Sequence, residues 1–398
     1  MNELSLYLHI PFCTEKCDYC DFFSVPLSGI EKSRKEQEHL LGSYIDALLY
    51  EIEQSIKETQ NAKIPSVYIG GGTPSLLGGK GIARLLEGIK DCLHEAEVSE
   101  ITVEANPETA DYSFLSSCKD NGVTRLSLGV QSFDETVLSA AGRRGRLPAE
   151  NGRNTIENSI YEAKNIFGKG LSLDVMSGLP GQTAAVLKND IEKVLGFNPG
   201  HISLYSFTLE EGTPLALKNK KHEITAETNK QKESPDDLWL IGKDILKKAG
   251  FLHYEISNFA SSSAFRSLHN IRYWLMKNWI GIGPSASGTI ISGDTGTRKS
   301  YPPNIKEFIS AFKNRKRPPV IEEKLDRKTL LKETLMMGYR YCEGPDPCLF
   351  FRRFGRTIEE TIPQTLLKWQ ALRGDCLTDT IMTFLNSFLL DAFMELDT

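Results

Sequence analysis

Three cysteines stand close together near the start of the chain. Cys13, Cys17 and Cys20 are separated by three and then by two residues. Thiolates are the usual protein ligands of iron–sulfur clusters, and a cubane cluster of four irons normally takes four of them. Three cysteines would leave the fourth iron with an open coordination position. The spacing therefore predicts a 4Fe–4S cluster that accepts one ligand from outside the protein.

Two simpler interpretations of the same cysteines are a structural zinc site, with His9 or His39 as fourth ligand, and a chance group of thiols. Structural zinc sites usually pair two close ligands with two distant ones, whereas here three fall within eight residues. The remaining cysteines show no ligand-like spacing and are expected to be ordinary thiols. They are Cys92, Cys118, Cys342, Cys348 and Cys376.

The glycine-rich stretch from Gly70 to Pro74 follows a strand-like run and is a second candidate for ligand binding. S-adenosylmethionine (SAM) suits the open iron, because its amino and carboxylate groups can bind there, and cleavage of its sulfonium releases a 5′-deoxyadenosyl radical. Glycines let a backbone approach such a ligand closely. A tight turn is the simpler interpretation. The stretch lacks the G-x-G-x-x-G pattern, which argues against a dinucleotide-binding fold.

Strand-like and helix-like runs alternate from residue 5 to about 210 and place these motifs. The predicted strands are Leu4–Ile10, Ser66–Ile69, Glu100–Glu104, Thr124–Val130, Leu171–Met176 and His201–Phe207. The predicted helices between them are Ser43–Thr59, Gly81–His94, Asp111–Asn121, Asp134–Ala141 with Asn154–Phe167, and Ala184–Leu195. Such alternation predicts parallel strands with right-handed crossovers. We therefore expect an α/β fold, a partial (β/α)6 TIM-like barrel.

The unusual residues fall at or just after the carboxyl ends of the predicted strands, which is the active-site face of β/α barrels. Besides the cysteines and glycines they include Glu104, Gln131, Arg143 and Asp174. Any one of them could be a surface or capping residue. Together they predict a polar ligand pocket at one rim.

The second half of the chain is less regular. A polar surface segment is expected at 215–235, then a helix over Asp236–Ala249 and a strand over His253–Ser257. Two Pro-Pro pairs make 301–319 a predicted linker. We expect a barrel domain with an extension over 1–310 and a small, mainly helical C-terminal domain over 320–398.

Composition excludes several classes of protein. The formal net charge is −5 and the short basic run from Lys313 to Arg317 is isolated, which argues against a nucleic-acid partner. No apolar run approaches the ~18 residues of a membrane span, and the N-terminus lacks the features of a signal peptide. A cytoplasmic location is therefore expected, and weak peripheral association with a membrane stays open.

Several motifs resemble those of radical SAM proteins related to oxygen-independent coproporphyrinogen III dehydrogenase, and specifically its heme-chaperone branch. They are H-I-P-F-C-x3-C-x-Y-C, G-G-G-T-P-S, E-A-N-P, R-L-S-L-G-V-Q-S-F, G-L-P-G-Q-T, Y-E-I-S-N-F-A and H-N-x-x-Y-W. The resemblance covers nearly the whole chain, from Leu6 to about Leu396. The resemblance implies that Cys13, Cys17 and Cys20 bind the cluster. It also implies SAM contacts from Tyr7, Tyr19, Gly71, Gly72, Thr73, Glu104, Gln131, Arg143, Asp174 and Thr208.

Two features favour the heme-chaperone branch. The porphyrinogen-oxidising relatives carry a further cysteine where this chain has Phe22, and a longer segment before the cluster than the 12 residues that precede Cys13. The heme-chaperone branch carries H-N-x-x-Y-W, here beginning at His269, and the resemblance makes His269 the axial heme ligand. Tyr273 and Trp274 would then pack on the macrocycle. In the alternative interpretation His269 bonds within a loop and Trp274 fills the core.

The chain departs from the family pattern at two places. The loop after Gly142 is longer and lacks the usual histidine, so either Arg143 or Arg144 is the SAM contact. Ser177 stands where relatives carry a tyrosine.

The resemblance implies a chaperone that binds heme and delivers it to an apoprotein, and leaves open whether SAM is consumed. The first alternative is an oxygen-independent coproporphyrinogen III dehydrogenase, which decarboxylates propionate side chains. The second is a non-catalytic iron–sulfur or zinc protein.

Overall fold

The structure is a computed structural model, and the residues it describes are 3–59, 62–93, 98–143, 155–220, 233–371 and 381–397. The strands are β1 Ser5–Ile10, β2 Phe12–Cys13, β3 Val25–Pro26, β4 Ser66–Gly71, β5 Glu100–Ala105, β6 Arg125–Gln131, β7 Leu171–Ser177, β8 His201–Ser206, β9 Leu252–Glu255, β10 Asn258–Ala260, β11 Trp279–Ile282, β12 Ser287–Ser292, β13 Thr295–Ser300 and β14 Ile321–Leu325. The six strands predicted before residue 210 are confirmed as β1 and β4 to β8, each within one or two residues of the expected bounds.

Twelve of these described strands form one sheet, in the order β14-β13-β12-β11-β1-β4-β5-β6-β7-β8-β10-β9. From β11 to β8 the neighbouring strands are parallel, and the strands added at either edge are antiparallel. The predicted partial barrel is therefore confirmed. β11 is a seventh parallel strand that the sequence did not reveal, because four residues are too few to show an alternating pattern.

The helices are α1 Leu27–Ile30, α2 Arg34–Glu58, α3 Gly78–Leu93, α4 Tyr112–Asp120, α5 Glu135–Ala140, α6 Thr155–Phe167, α7 Ala184–Gly196, α8 Pro214–Lys220, α9 Pro235–Lys248, α10 Leu268–Trp274, α11 Ile305–Lys313, α12 Arg327–Gly338, α13 Pro347–Phe354, α14 Ile358–Thr361, α15 Pro363–Ala371 and α16 Leu385–Asp397. α2 begins nine residues before the predicted Ser43, because Ser33 and Glu36 form a reciprocal capping box there.

The prediction of a linker over 301–319 is wrong, since α11 lies within it. Asn304 caps this helix by accepting a hydrogen bond from the N–H of Glu307. Ile305, Phe308 and Ile309 are buried in the main core. The proline pairs therefore flank a short amphipathic helix rather than a flexible connection.

The two faces of the parallel strands differ in polarity. On β1, Leu6 and Leu8 are buried in the core under the helices, whereas Ser5 and Tyr7 point into the barrel. The neighbouring strands repeat this alternation, and their inward side chains include Ser66, Tyr68, Glu100, Glu104, Arg125, Ser127, Ser172, Asp174 and His201. Closed β/α barrels are usually filled by branched apolar side chains. A polar interior here is suited to a ligand.

The C-terminal segment has a hydrophobic cluster of its own, which includes Leu335, Phe354, Trp369 and Phe388. Ahead of it, β14 pairs with β13 and so belongs to the large sheet. The division at 310 and 320 stays a prediction. No helix among the described residues is long and apolar enough to cross a membrane.

Candidate functional site

Hydrogen bonds of Asp18 hold the cysteine loop, which lies between β2 and β3, against neighbouring segments. The N–H of Asp18 donates to the carbonyl of Ala141, 3.2 Å away, and its carbonyl accepts from the N–H of Leu215 at 2.9 Å. Lys218 Nζ lies 2.6 Å from its carboxylate. Gly142, at φ 69°, approaches so closely that a Cβ there would lie 2.2 Å from Asp18 Cγ. The loop is thus tied to the segments that follow β6 and β8.

Two of the three thiols, those of Cys17 and Cys20, lie in an environment that opposes their ionisation. Cys13 is buried, and Cys17 and Cys20 are partly buried. Burial raises the pKa of Cys17, and it raises the pKa of Cys20 to about 11. The Thr73 hydroxyl donates to Cys13 Sγ at 3.6 Å. Because iron binds thiolates, loading a cluster here must displace protons.

The zinc alternative needs a fourth ligand, either His9 or His39. Among the residues that the structure describes, no three His, Cys, Asp or Glu side chains converge closely enough to hold one metal ion. His9 has both ring nitrogens engaged, with Phe23 O at 2.8 Å and the Tyr7 hydroxyl at 3.0 Å. His39 is exposed on α2. The ligands of a cubane sit on separate irons, so they are more widely spaced than those of one ion.

The glycine stretch forms a close-fitting turn beside the cysteine loop. The N–H of Gly72 donates to the carbonyl of Ile10 at 2.8 Å. A Cβ on Gly72 would lie 2.6 Å from Phe12 O, and one on Gly71 would lie 2.6 Å from the His9 ring. Gly71 also has φ 115°, a backbone conformation that favours glycine. Only glycine fits at these two positions, because His9 and the backbone of Phe12 already fill the space that a Cβ would take.

Glu104 near the end of β5 supports this turn. Its Oε2 accepts from the N–H of Gly71 at 3.0 Å, and its Oε1 accepts from the Tyr68 hydroxyl at 2.7 Å. Removal from water raises the pKa of Glu104 to about 7, and these two hydrogen bonds hold it below what burial alone would give. At neutral pH the carboxyl is therefore poised between its two protonation states.

Two further predicted rim residues are Gln131, at the end of β6, and Arg143, just after α5. Gln131 adopts φ 66°, rare for a residue with a side chain, and its Oε1 is buried without a hydrogen-bond partner among the described residues. Arg143 donates to Gly129 O at 2.7 Å and lies 3.7 Å from Glu108. Its positive charge lowers the pKa of Tyr19, which burial raises overall. Arg144 and the rest of the longer loop lie outside the described residues.

Two predicted positions need correction. Asp174 lies in the middle of β7 rather than at its end, where it accepts hydrogen bonds from Ser127 at 2.9 Å and from Ser172 at 3.4 Å. Thr208 is expected at the end of the sixth predicted strand, directly after Phe207, but β8 ends at Ser206 and Thr208 is exposed two residues beyond it. The SAM contacts of both residues stay predictions.

The residues present fit a three-cysteine cluster and SAM. Three thiols share one loop, a glycine turn that tolerates no Cβ lies against it, and an unpartnered amide oxygen at Gln131 faces the same rim. Cys13, Cys17 and Cys20 would hold the cluster, and the Gly71–Thr73 turn with Glu104 would hold SAM. When bound, the pair supplies an electron and a cleavable sulfonium. The protein's part would be to orient SAM.

His269 lies elsewhere, at the amino-terminal end of the barrel. Its Nδ1 is 3.0 Å from the Ser66 hydroxyl, at the start of β4, and its side chain is 1% exposed. Its Nε2 is buried without a hydrogen-bond partner among the described residues. Burial, with a contribution from Arg272, lowers its pKa to about 3. The imidazole is therefore neutral, with one nitrogen free.

Tyr68 and Tyr273 pack against His269, whereas Trp274 packs in a different cluster. Its ring lies 5.0 Å from that of Tyr68 and 4.6 Å from that of Tyr273, measured between centroids. Trp274 turns the other way, packing near Tyr254 and stacking with Arg340 at 6.0 Å. Tyr273 and Trp274 thus do not share one face beside His269.

Sequence reasoning missed Tyr68 and Glu100. The alternation in Ser-Val-Tyr-Ile-Gly-Gly places Ser66, Tyr68 and Gly70 on one face of β4, and that pattern could have revealed Tyr68 as an inward residue. Glu100 carried no such signal, because its partners on α10 are nearly 170 residues away.

The fold and the three-cysteine loop define a radical SAM protein, and residues 7–194 match the Radical SAM superfamily. Within it, the chain belongs to the HemW heme chaperone family. It is 37% identical to Heme chaperone HemW of Buchnera aphidicola subsp. Schizaphis graminum, over 78% of this chain and 77% of that protein. It is 33% identical to Heme chaperone HemW of Lactococcus lactis subsp. lactis, over 91% and 90%. The cofactors of the superfamily are SAM and a 4Fe–4S cluster.

Two further similarities extend this result. The mitochondrial radical S-adenosyl methionine domain-containing protein 1 of Bos taurus is 32% identical over 85% of this chain and 73% of its own. The solved structure of coproporphyrinogen III oxidase (HemN) from Escherichia coli superposes with a TM-score of 0.71 and 20% identity, covering 100% of this chain and 90% of that one. The second similarity shows a shared fold.

Proposed function

We propose that this chain binds heme and passes it to a recipient apoprotein, with a SAM-bound 4Fe–4S cluster at the carboxyl-terminal face of its barrel. The observation that carries the proposal is its identity of 30–37%, over most of its length, to bacterial proteins named heme chaperones. Phe22 supports it, because this side chain is 64% exposed beside the cluster loop where porphyrinogen-oxidising relatives have a fourth cysteine.

His269 is the proposed iron ligand. Heme iron binds a neutral imidazole nitrogen, and Nε2 of His269 is unpartnered while its lowered pKa keeps the ring neutral. At 1% exposure, however, this nitrogen lies out of reach of a macrocycle on the surface. Heme ligation by His269 therefore requires α10 to move away from the barrel end.

Two sets of contacts hold α10 in place. Glu100 accepts hydrogen bonds from the N–H groups of Leu268 and His269 at 2.9 and 3.0 Å. Arg272 donates from Nε to the Ser5 hydroxyl at 2.6 Å and lies 2.7 Å from Glu3. Charge-assisted contacts of buried groups therefore oppose the movement of α10, in addition to the packing of Trp274 in the cluster with Tyr254.

The test is a heme titration of the anaerobically reconstituted protein, followed by the Soret band. We expect wild type to bind heme with a shifted band, and His269→Ala to lose most of that affinity. His39→Ala is the matched control, since His39 is exposed on α2 and should bind heme like wild type. Equal binding by wild type and His269→Ala would remove His269 from the ligand role.

Delivery and turnover are tested separately. Heme-loaded protein mixed with a heme-free recipient should lose its Soret signature while the recipient gains one. A parallel assay measures CO2 release from coproporphyrinogen III. Release of CO2 at a catalytic rate would overturn the chaperone proposal in favour of an oxygen-independent dehydrogenase, the alternative that the sequence left open.

A further inference from the structure

Tyr68 lies between the two sites just described and contacts both. Its hydroxyl donates to Glu104 Oε1 at 2.7 Å, and the other oxygen of that carboxylate accepts the N–H of Gly71 at 3.0 Å. Its ring lies 5.0 Å from the ring of His269, tilted by 35°. One side chain therefore joins the glycine turn at one end of the barrel to the buried imidazole at the other.

The packing around Tyr68 leaves it little freedom. A Cβ on Gly70 would lie 2.8 Å from Glu104 Cδ and 2.9 Å from Tyr68 Cε1, so the glycine makes room for the hydrogen-bonded pair. The centroid of the Tyr7 ring lies 6.1 Å from that of the Tyr68 ring. His269 is in turn fixed by the Ser66 hydroxyl at 3.0 Å. The imidazole thus forms one wall of the slot that holds the Tyr68 ring.

We propose that Tyr68 is a positioning residue for SAM and that His269 holds it in place, so that the affinity for SAM depends on His269. The proposal rests on the proposed SAM site at Gly71 and Glu104, but not on heme delivery. If the Tyr68 hydroxyl is lost, Glu104 loses the donor that aligns its carboxylate and favours its charged form, and the Gly71 turn loses its support. If the imidazole is lost, the tyrosine ring gains room to tilt away.

The experiment measures the SAM dissociation constant of anaerobically reconstituted protein by calorimetry, with iron content checked for each variant. Tyr68→Phe keeps the ring but removes the hydrogen bond to a carboxylate, and we expect affinity to fall about tenfold or more. Tyr301→Phe is a matched control, because Tyr301 also donates to a buried carboxylate at 2.7 Å, but that carboxylate belongs to Glu51 on α2 and does not support the turn. It should bind SAM like wild type.

His269 is tested by two substitutions. His269→Ala should weaken SAM binding several-fold, whereas His269→Phe restores a ring against Tyr68 and should recover most of the affinity, although it cannot ligate heme. The double variant Tyr68→Leu with His269→Ala should bind SAM as weakly as Tyr68→Leu alone, because the two residues act through one contact. A spectroscopic readout accompanies these values: the electron paramagnetic resonance signal of the reduced cluster should change less on adding SAM to Tyr68→Phe than to wild type.

The outcomes separate the two claims. If Glu104→Gln binds SAM as wild type does, the proposed SAM site itself fails. If Glu104→Gln binds SAM more weakly but Tyr68→Phe and His269→Ala bind it like wild type, the SAM site stands and the positioning role is overturned. If Tyr68→Phe binds SAM more weakly but His269→Ala binds it like wild type, the role assigned to His269 is overturned. Heme titrations of the same variants test heme delivery independently, and Tyr68→Phe should bind heme normally.

Discussion

Glu100 caps the helix that carries His269: its Oε1 lies 3.0 Å from His269 N, and its Oε2 lies 2.9 Å from Leu268 N. A carboxylate at a helix amino terminus compensates both the unpaired N–H groups and the positive end of the helix dipole. Arg125 Nε, 3.5 Å from Oε2, holds the carboxylate from the barrel side. Glu100 on β5 therefore helps to set the position of the proposed heme ligand, together with the contacts of Arg272 and Ser66.

Replacing Glu100 should loosen this helix. In Glu100→Gln we expect the free energy of unfolding to fall by about 1–3 kcal/mol, because charged hydrogen bonds to the helix end and the pairing with Arg125 are lost. If α10 must move for heme to bind, heme should also associate faster. Chemical denaturation and stopped-flow absorbance measure the two effects.

A matched control for this change is Glu323→Gln. Glu323 pairs with Arg298 at 3.2 Å, but its side chain is 56% exposed, so its removal should change stability by less than about 1 kcal/mol. Unchanged heme association in a destabilised Glu100→Gln protein would contradict the gating role of α10.

The buried imidazole of His269 should make stability depend on pH. Its pKa falls from the usual 6.5 to about 3 in the folded protein, so between those values the unfolded chain binds a proton that the folded chain does not. The free energy of unfolding should therefore decrease as the pH is lowered from 6.5 towards 3.

This share of the pH dependence should be absent in His269→Gln. The stability lost between pH 7.5 and 5.5 should be smaller in the variant by about 1.4 kcal/mol, the value of one pKa unit. Burial also lowers the pKa of His201. Because His201 is present in both proteins, both keep its share of the dependence of stability on pH. Denaturant titrations at the two pH values measure the difference. An identical slope in both proteins would show that His269 is accessible to protons in the native state.

The sequence predicted the strands around the site well, but it predicted the positions of side chains inside the barrel poorly. Strands β1 and β4 to β8 were found because Val67, Ile69 and similar core residues alternate with polar ones, and both the cysteine spacing and the glycine stretch mark the ends of strands. Asp174 was assigned to a strand end, although it lies at the middle of β7. A strand's register in a barrel depends on its neighbours, which local patterns do not report.

The burial of His269 could not be read from its own motif either. H-N-x-x-Y-W is compatible with an exposed turn or a buried helix. What decides between them is the contact with Glu100, 169 residues away in the chain, and with Ser66, 203 residues away. Such long-range pairs carry no local signal.

The Glu104 carboxyl predicts a pH dependence of SAM binding. Since its pKa is about 7, the group gains a proton as the pH falls below that value, and it loses the negative charge that would attract the sulfonium cation and accept hydrogen bonds. The titratable groups that interact with it include Tyr68, Asp174, Tyr7 and Tyr205. SAM affinity should therefore decrease as the pH is lowered through 7, by at most about tenfold per pH unit.

Calorimetric titrations of SAM between pH 6.0 and 8.5 measure this dependence. In Glu104→Gln the affinity should be weaker and almost flat over the same range, because the amide does not titrate there. A wild-type affinity independent of pH would mean that Glu104 does not change its charge beside SAM.

The last prediction concerns Gly71, where a left-handed backbone and a close neighbour coincide. An alanine there must adopt φ 115° with its Cβ 2.6 Å from the His9 ring. Gly250 has φ 87° with nothing within 4 Å, so Gly250→Ala isolates the cost of the backbone conformation, about 1–2 kcal/mol of stability. Gly71→Ala should cost at least as much and also weaken SAM binding about tenfold or more, since the turn must shift away from β1. Thermal unfolding and SAM calorimetry on both variants separate the two effects. If Gly71→Ala is as destabilised as Gly250→Ala but binds SAM normally, the glycine turn does not touch SAM.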